Sequence, residues 1–449
     1  MHTVLVVGAG PAGLFAAQKI ALAGHQVVVL NRDIKPGGLA EYGIYPLKDK
    51  MKAGLRKQFW KILGLPNVHY LGHVAVGTEA AVSIDELREL NPAALVFSVG
   101  AQGTKDLGLP GEHARGVYSA KHFVYHYNLL PPFASQDFST GKRIAIVGMG
   151  NVAVDIARWV LQDDPQRKTE EVIIVARRGP FEAKFDEKEF AHIEMHLDRR
   201  AFEEELQRVK ERLSAVGQDI AKVCESTFPI LAKSYQEKGP RLLFRFLSSP
   251  QSIHANASGR INRLTVSDNV LVSRDGGLTA KATDKTADLD VDTMIFAIGD
   301  VVDPKLGLPY NNEGYTTNPD GVDPKRAAYE VFDKQSGTVL KGTYVVGWAR
   351  KASEGLVGAA RYDAEQGATH ILSYLEGLQA RPAAGPEEVR RRLGRKGLQV
   401  VTEEDLRLLA RAEEEQAKHR GSAWFKFADD RSMLAAIEFE KSHALIEST

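Results

Sequence analysis

Residues 3–13 read TVLVVGAGPAG. The apolar run Thr3–Val7 has the composition of a strand buried on both faces of a parallel sheet. Gly8, Gly10 and Gly13 follow it in the spacing G-x-G-x-x-G. Pro11 and Ala12 then open a helical pattern that runs to Ala23, with Gly24 as its stop. Gln26–Leu30 (QVVVL) is the next strand, so a β-α-β unit closes within ~30 residues. In that context each glycine has a physical task. Gly8 permits the tight turn, Gly10 lets a pyrophosphate approach the backbone, and Gly13 lets the helix lie close against the strand. The first N–H groups of the helix present a positive dipole end to the phosphates.

The device occurs twice. Lys142–Val147 (KRIAIV) is a strand, Gly148-Met149-Gly150-Asn151-Val152-Ala153 is a G-x-G-x-x-A turn, Val152–Leu161 is predicted as a helix, and Glu171–Val175 (EVIIV) is the strand that follows. The fold class expected is therefore α/β, with two Rossmann-like dinucleotide-binding domains. Two such sites imply two dinucleotides, FAD at one and a nicotinamide at the other. The residues after each second strand differ. After Leu30 stands Asn31, an amide where an acidic ribose ligand is expected; it can still bond a hydroxyl, with less charge assistance. After Val175-Ala176 stand Arg177 and Arg178. A pair of forked, permanent cations suits a ribose 2′-phosphate, so the second site is predicted to take NADP rather than NAD.

Composition sets the outer bounds. The chain has 449 residues, 43% hydrophobic and 26% charged, enough for two to three domains. Lys+Arg and Asp+Glu are both 58, which excludes a globally basic nucleic-acid coat. The single cysteine, Cys224, excludes an internal dithiol relay and any cysteine-based zinc or iron–sulfur site. No apolar run has membrane length, and the N-terminus enters a strand at once, so a reducing, cytoplasmic setting is expected. Further elements are expected at Ala93–Val99, a strand ending in Gly100; at Arg200–Val223, an amphipathic helix; at Arg260 to about Asp288, an antiparallel meander; and at Thr293–Ile298 and Thr343–Val346, two buried strands. A helix is expected over Ala359–Leu375, and a Thr402–Asp405 capping box opens another that runs to about Lys418.

Longer motifs add a resemblance. Val6–Gly13 (VVGAGPAG), Gly37-Gly38-Leu39 with Tyr42-Gly43-Ile44, Pro110-Gly111-Glu112, Gly148–Asp155 (GMGNVAVD), Arg177–Pro180 (RRGP), and Gly347-Trp348 with Gly355-Leu356-Val357-Gly358 together resemble the adrenodoxin-reductase-like ferredoxin–NADP reductases. They are similar, more distantly, to the reductase subunit of glutamate synthase. The resemblance implies a discontinuous FAD domain (1–105 and 301–449, with a C-terminal helical tail) and an NADP domain inserted into it (106–300). It implies FAD as cofactor, NADPH as hydride donor to flavin N5, and a ferredoxin or flavodoxin as electron acceptor. The positions it places at the reaction centre are Trp348, Glu189 and Lys48. Glu189, in FDEKEF, matches a family glutamate near the nicotinamide, which it also helps to bind. Lys48 stands where the family often carries a histidine, whose proton role does not transfer to a lysine. Asn31 replaces a family glutamate.

Two other readings come from the same residues. One is an NADPH-dependent flavoprotein that reduces a small molecule or a partner subunit, motivated by Lys48. The other is a flavoprotein that senses NADP without catalysis. An acidic acceptor would require a basic face, for which Arg241, Arg245, Lys48, Lys50 and Lys52 are the candidates.

Overall fold

Each strand–turn–helix motif seeds its own parallel sheet. The computed structural model describes residues 1–229, 239–274, 276–312, 314–319, 329–351, 357–379 and 382–447, without the side chains of residues 224 and 444–447. The chain divides into two units. The first is Met1–Thr104, Tyr125–Ser135 and Gly299–Thr449; the second is Lys105–Val124 and Gln136–Ile298.

The first unit contributes strands β1 (Thr3–Val7), β2 (Gln26–Leu30), β3 (Val68–Leu71), β4 (Ala94–Phe97) and β5 (Gly103–Thr104). The second contributes β6 (Val117–Ser119), β7 (Arg143–Val147), β8 (Glu171–Val175), β9 (Arg241–Arg245), β10 (Ser248–Ala255), β11 (Ile261–Arg274), β12 (Gly277–Leu289) and β13 (Thr293–Phe296). The chain then returns to the first unit with β14 (Asp300–Val301), β15 (Glu330–Asp333) and β16 (Thr338–Val345).

In the first unit a six-stranded sheet has the order β15-β16-β4-β1-β2-β3. Its pairs are parallel except β15–β16. Successive side chains on a strand point to opposite faces, and here both faces are buried. Val4, Val6, Val27 and Val29 meet Leu14, Phe15 and Ile20 of the Pro11–Leu22 helix and Ala364, Ala368 and Ile371 of the Val357–Glu376 helix. Leu5, Val7, Val28 and Leu30 face the other core, with Leu87, Val345 and Val389.

In the second unit the five-stranded sheet β6-β13-β7-β8-β9 is parallel throughout. One face packs on the antiparallel sheet β10-β11-β12 through Ala145, Val147, Ile253, Leu264 and Val266. The expected meander is this sheet, dominated by two long strands. The helix expected over Arg200–Val223 stops at Ser214; Gly217, at φ +79°, takes the left-handed turn that ends it. The helix expected over Val152–Leu161 is regular only to Arg158 and finishes in a wider turn, Trp159–Asp163.

The expected boundaries 106–300 miss one feature. Tyr125–Ser135 groups with the first unit. The cause is packing: Tyr125 and Leu130 bury themselves against Tyr42, and the amide oxygen of Asn128 accepts a hydrogen bond of 2.7 Å from Lys52 Nζ. Lys52 is buried and joins a charged knot. Arg56 grips Glu41 through two bonds of 2.7 and 2.8 Å, and Lys426 Nζ lies 2.6 Å from the same carboxylate. Burial works against the Glu41 carboxylate, yet Lys426, Arg56 and Lys35 hold its pKa far below the usual carboxylate range. Burial, reinforced by the neighbouring Lys426 charge, pushes Lys52 down to about 7. Burial pushes Lys426 down to about 8 against the pull of Glu41.

The folded state therefore releases the Lys52 proton near pH 7, whereas an unfolded chain keeps it to about 10.5. Between those values the unfolded state binds more protons, so this group adds stability as pH rises. Lys52→Met removes the dependence. Relative to wild type, the variant's urea midpoint is expected to stand highest at pH 6 and to lose ground as pH rises from 7 to 10. A difference that does not change with pH would contradict the assignment.

Candidate functional site

Gly8 has φ +104°, and a Cβ there would lie 2.7 Å from the Ser98 carbonyl oxygen just beyond β4. Gly148 has φ +122°, and a Cβ there would lie 2.2 Å from the Ala297 carbonyl oxygen beyond β13. Both amides donate to the end of the next strand: Gly8 to Leu30 O at 2.7 Å, Gly148 to Val175 O at 2.9 Å. The two turns are thus the same construction, closed by the strand on either side. Gly13 is tighter still; its Cβ would sit 1.9 Å from Gly8 O and 2.4 Å from Ser98 Oγ. By contrast, a Cβ on Gly10 or on Gly150 meets nothing within 4 Å. Protein fills the space around Gly8, Gly13 and Gly148 and leaves it open at Gly10 and Gly150, where a pyrophosphate would approach.

Around the first turn lies a cavity of 460 Å³ lined by Gly8, Gly10, Pro11, Ala12, Asn31, Gly38, Leu39, Gly100, Trp348 and Val357. Gly38, at φ +48°, brings its segment to within 3.2 Å of Gly10 Cα, measured from the Cβ it lacks. Trp348 stands in the short turn Gly347–Ala349 after β16. Gly347 has φ +65°, and a Cβ there would collide with that of Ala12 at 2.5 Å. Its N–H donates to Asp363 Oδ2 at 2.6 Å, and Arg350 Nε donates to Asp363 Oδ1 at 3.1 Å. Glycine turn, open middle glycine and a largely apolar cavity fit the FAD expected from the sequence. Gly358 lies one residue into the Val357–Glu376 helix; Gly355 and Leu356 fall outside the described residues.

Two expected ligands do other work. Asn31 lines the cavity, but its amide holds the turn together: Oδ1 accepts from Ala9 N at 2.9 Å, and Nδ2 donates to Asp33 O at 2.8 Å with Lys35 O and Tyr70 OH at 3.1 Å. An amide has both donor and acceptor, and this site uses both; a glutamate could not donate. Tyr42 is buried among Tyr125 and Leu130 under the Lys426 ammonium, 4.6 Å from its ring, and does not line the cavity. Lys48 caps the Asp49–Leu63 helix by position, half-buried and also outside the cavity lining.

In the second unit the turn is braced by the segment that carries Glu189. Asn151 Nδ2 donates to Asp186 Oδ2 at 2.9 Å, Asp186 N donates back to Asn151 Oδ1 at 2.7 Å, and Lys184 N donates to Met149 O at 2.9 Å. Asp186 precedes the short helix Glu187–Phe190, so Glu189 is tied to the turn at one remove. Phe190 anchors that helix among Phe185, Phe228 and Phe244. Val152 is 49% exposed at the helix start, an apolar side chain facing open space beside Gly150.

Arg177 and Arg178 leave the end of β8, the first exposed and the second half-buried. Among the described residues neither guanidinium forms an ion pair. Their neighbours are all engaged. Arg208, Arg212 and Arg245 share Asp268 at 3.0, 3.4 and 3.4 Å, and Arg241 pairs with Glu171 at 2.5 Å. Arg245 and Lys52, expected as docking cations, are therefore taken up inside the fold; Arg241 is ion-paired but 60% exposed, and Lys50 is exposed. Sequence reading missed Ser98 and Asp363. Ser98 Oγ donates to Gly8 O at 2.8 Å and Val7 O at 3.0 Å, and its signal is a small residue between strand β4 and Gly100. Asp363 has no local signal, because its partners are more than ten residues upstream on another element.

These features define a class: an oxidoreductase whose two units each carry a strand–glycine turn–helix motif of the dinucleotide-binding kind, the second followed by two arginines without an ion pair among the described residues. Comparison with known proteins agrees. A family model described as pyridine nucleotide-disulphide oxidoreductase matches residues 2–226. NADPH-ferredoxin reductase FprA of Mycobacterium leprae (strain TN) is 30% identical over 413 residues, 84% of this chain and 85% of that protein. The mitochondrial NADPH:adrenodoxin oxidoreductase of Arabidopsis thaliana is 28% identical over 414 residues, 83% of this chain and 82% of that protein. The structure of Mycobacterium tuberculosis FprA in complex with NADPH matches with a TM-score of 0.81 at 26% identity, covering 98% of this chain and 99% of that one. The chain belongs to the pyridine nucleotide-disulphide oxidoreductase family, among relatives named as NADPH-ferredoxin and NADPH-adrenodoxin reductases. Its single cysteine leaves no internal disulphide to reduce.

The glycine geometry separates folding from binding. Gly13→Ala is expected to lower both the urea midpoint and the nucleotide retained on purification. Gly10→Ala, which meets no protein atom, is expected to leave the midpoint of the nucleotide-free protein unchanged and to lower retention alone. Equal stability losses in the two variants would contradict the geometry.

Proposed function

We propose that this protein is an NADPH-dependent flavoprotein reductase that delivers electrons to a ferredoxin- or flavodoxin-type partner. FAD is assigned to the cradle of Gly8, Gly10, Pro11, Ala12 and Gly13 with Gly38, Leu39, Gly100, Trp348 and Val357. NADPH is assigned to Gly148, Gly150, Asn151 and Val152 with Arg177 and Arg178. The observation that carries the reading is the arginine pair. In a neighbourhood where every other guanidinium described above has a carboxylate, these two have none among the described residues, and they sit at the strand end where a ribose phosphate would lie. Relatives whose names specify NADPH and ferredoxin or adrenodoxin support the donor and the acceptor. A cytoplasmic setting fits a chain with one cysteine and no described helix long and apolar enough to cross a membrane.

FAD, when bound, supplies the junction between a two-electron hydride donor and a one-electron acceptor. The chain's own residues bind and orient. The helix starts at Pro11 and Asn151 would offer their first N–H groups to the two pyrophosphates. Asn31 and Ser98 fix the backbone of the first turn, and Asp363 fixes Gly347, hence the placement of Trp348. Asn151 and Asp186 fix the start of the helix that bears Glu189. Hydride transfer demands approach and alignment more than proton transfer, so rigid positioning is the main catalytic contribution.

A second reading is favoured by Lys48, a cation where the resembling family often has histidine: the acceptor is then a small molecule or a partner subunit. Anaerobic titration with NADPH is expected to bleach the visible flavin band, after which reoxidation by ferredoxin is expected to outpace reoxidation by quinones or ferricyanide. Reaction with the dyes and none with ferredoxin or flavodoxin would favour the second reading; a colourless protein, or a flavin that NADPH never bleaches, would defeat both.

Arg177→Ala/Arg178→Ala is expected to raise KM for NADPH at least about tenfold more than KM for NADH, since a charge-assisted bond contributes roughly 1.5–3 kcal/mol. An unchanged ratio would remove the phosphate-clamp assignment.

A further inference from the structure

Arg177 and Arg178 can discriminate a phosphate only if their backbone holds still, and the structure shows what holds it. Beyond β8 the chain continues its pairing with the β9–β10 connection: Ala176 N donates to Arg245 O at 2.8 Å, Ser248 N to Ala176 O at 2.9 Å, and Leu247 N to Arg178 O at 3.1 Å. Leu247 sits at φ +46°, a left-handed conformation uncommon for leucine, which turns its N–H onto Arg178. The remaining carbonyl, Arg177 O, accepts a 2.8 Å bond from Asn269 Nδ2.

Asn269 comes from β11, on the long antiparallel sheet. It is 0% exposed. Its second amide hydrogen goes to Ser249 Oγ at 2.8 Å, and its backbone N–H to Leu247 O at 2.7 Å. Its Oδ1 finds no donor among the described residues. A buried acceptor without a donor costs free energy, so the amide is oriented for what it donates to. The β11–β12 register shifts between Ser267 and Asn269. Irregularities of this kind re-aim side chains beside functional sites. Neighbouring residues on a strand face opposite ways. Asp268 therefore turns to Arg208, Arg212 and Arg245, and Asn269 to Arg177. The local carboxylate is consumed by structural arginines, and the local amide holds the backbone of Arg177, one of the two arginines without an ion pair among the described residues.

We infer that Asn269 is a positioning residue for 2′-phosphate recognition, acting through the Arg177 carbonyl. It touches no cofactor itself. The inference rests on the phosphate-clamp reading above, and the test separates the two.

The probes are 2′,5′-ADP and 5′-AMP, which differ by the 2′-phosphate, titrated calorimetrically into the full-length protein with its flavin. The proteins are wild type, Asn269→Ala, Arg177→Ala/Arg178→Ala, and the combination of all three changes. Asn269→Ala is expected to weaken 2′,5′-ADP roughly tenfold, the loss of a buried hydrogen bond, and to change 5′-AMP less than about twofold. On the arginine-less background Asn269→Ala is expected to add nothing, because its effect runs through those side chains. Where Asn269→Ala does not fold, Asn269→Ser, whose hydroxyl is too short to reach Arg177 O, takes its place. Equal loss of both probes, or a full additional loss on the arginine-less background, would overturn the positioning role. If removal of the arginines leaves 2′,5′-ADP affinity unchanged, the clamp reading fails and this inference with it. If the arginines matter and Asn269→Ala binds like wild type, only this inference fails.

Discussion

A carbonyl oxygen from an adjacent strand occupies the place where the first residue of each glycine turn would carry a side chain. Ser98 O lies 2.7 Å from the Cβ position of Gly8, and Ala297 O lies 2.2 Å from that of Gly148. This contact draws three parallel strands together at their C-terminal ends and sends the chain sharply into a helix whose first N–H groups are free of partners within the helix. Everything proposed for either site presupposes it. The cavity in the first unit begins at that turn, and the arginine pair in the second leaves the strand to which Gly148 is hydrogen-bonded. The same crowding that forbids a side chain at Gly8, Gly13 and Gly148 is absent at Gly10 and Gly150, so the turn is rigid where it meets protein and open where it meets ligand.

The two units solve the problem beyond the second strand in different ways. In the first, Asn31 commits its amide to Ala9, Asp33 and Tyr70 and makes the turn a cross-linked object. In the second, the residue that leaves the strand, Arg177, does not brace the strand end with its own side chain. The strand end is instead built into a ladder with the β9–β10 connection and closed by Asn269. Charge follows the same division. Asp268 and Glu171 in the second unit are taken up by Arg208, Arg212, Arg241 and Arg245, which leaves Arg177 and Arg178 as two cations without an ion pair among the described residues, where the proposal places an anion. In the first unit, opposite charges are buried together around Glu41, and the cost of desolvation appears in the depressed pKa values of Lys52 and Lys426.

Both motifs and the strands they follow were legible in the sequence because they depend on contiguous residues, and the same local pattern carries the proposal made for each site. Period, glycine spacing and the arginines after Val175 are all local patterns. The misreadings share one cause. Tyr42, Lys52, Arg241 and Arg245 have residue types suited to ligand or partner contact, and their actual partners are distant in the chain: Tyr125, Asn128, Asp198 and Asp268. The helix expected over Arg200–Val223 failed for a different reason, since amphipathic character continues past Ser214 although Gly217 turns the backbone away.

The sequence by itself determined that there would be two strand–glycine turn–helix units on two parallel sheets, and that the chain carries no second cysteine for an internal dithiol relay. These conclusions come from backbone conformation and residue count, which need no neighbour to be read. Only the tertiary structure decided which polar side chains face a ligand and which are consumed in holding the fold. A hydrogen bond or an ion pair is made once. Whether Asn31, Asn269 or Arg245 has a valence left for anything else depends on atoms brought beside it from remote parts of the chain.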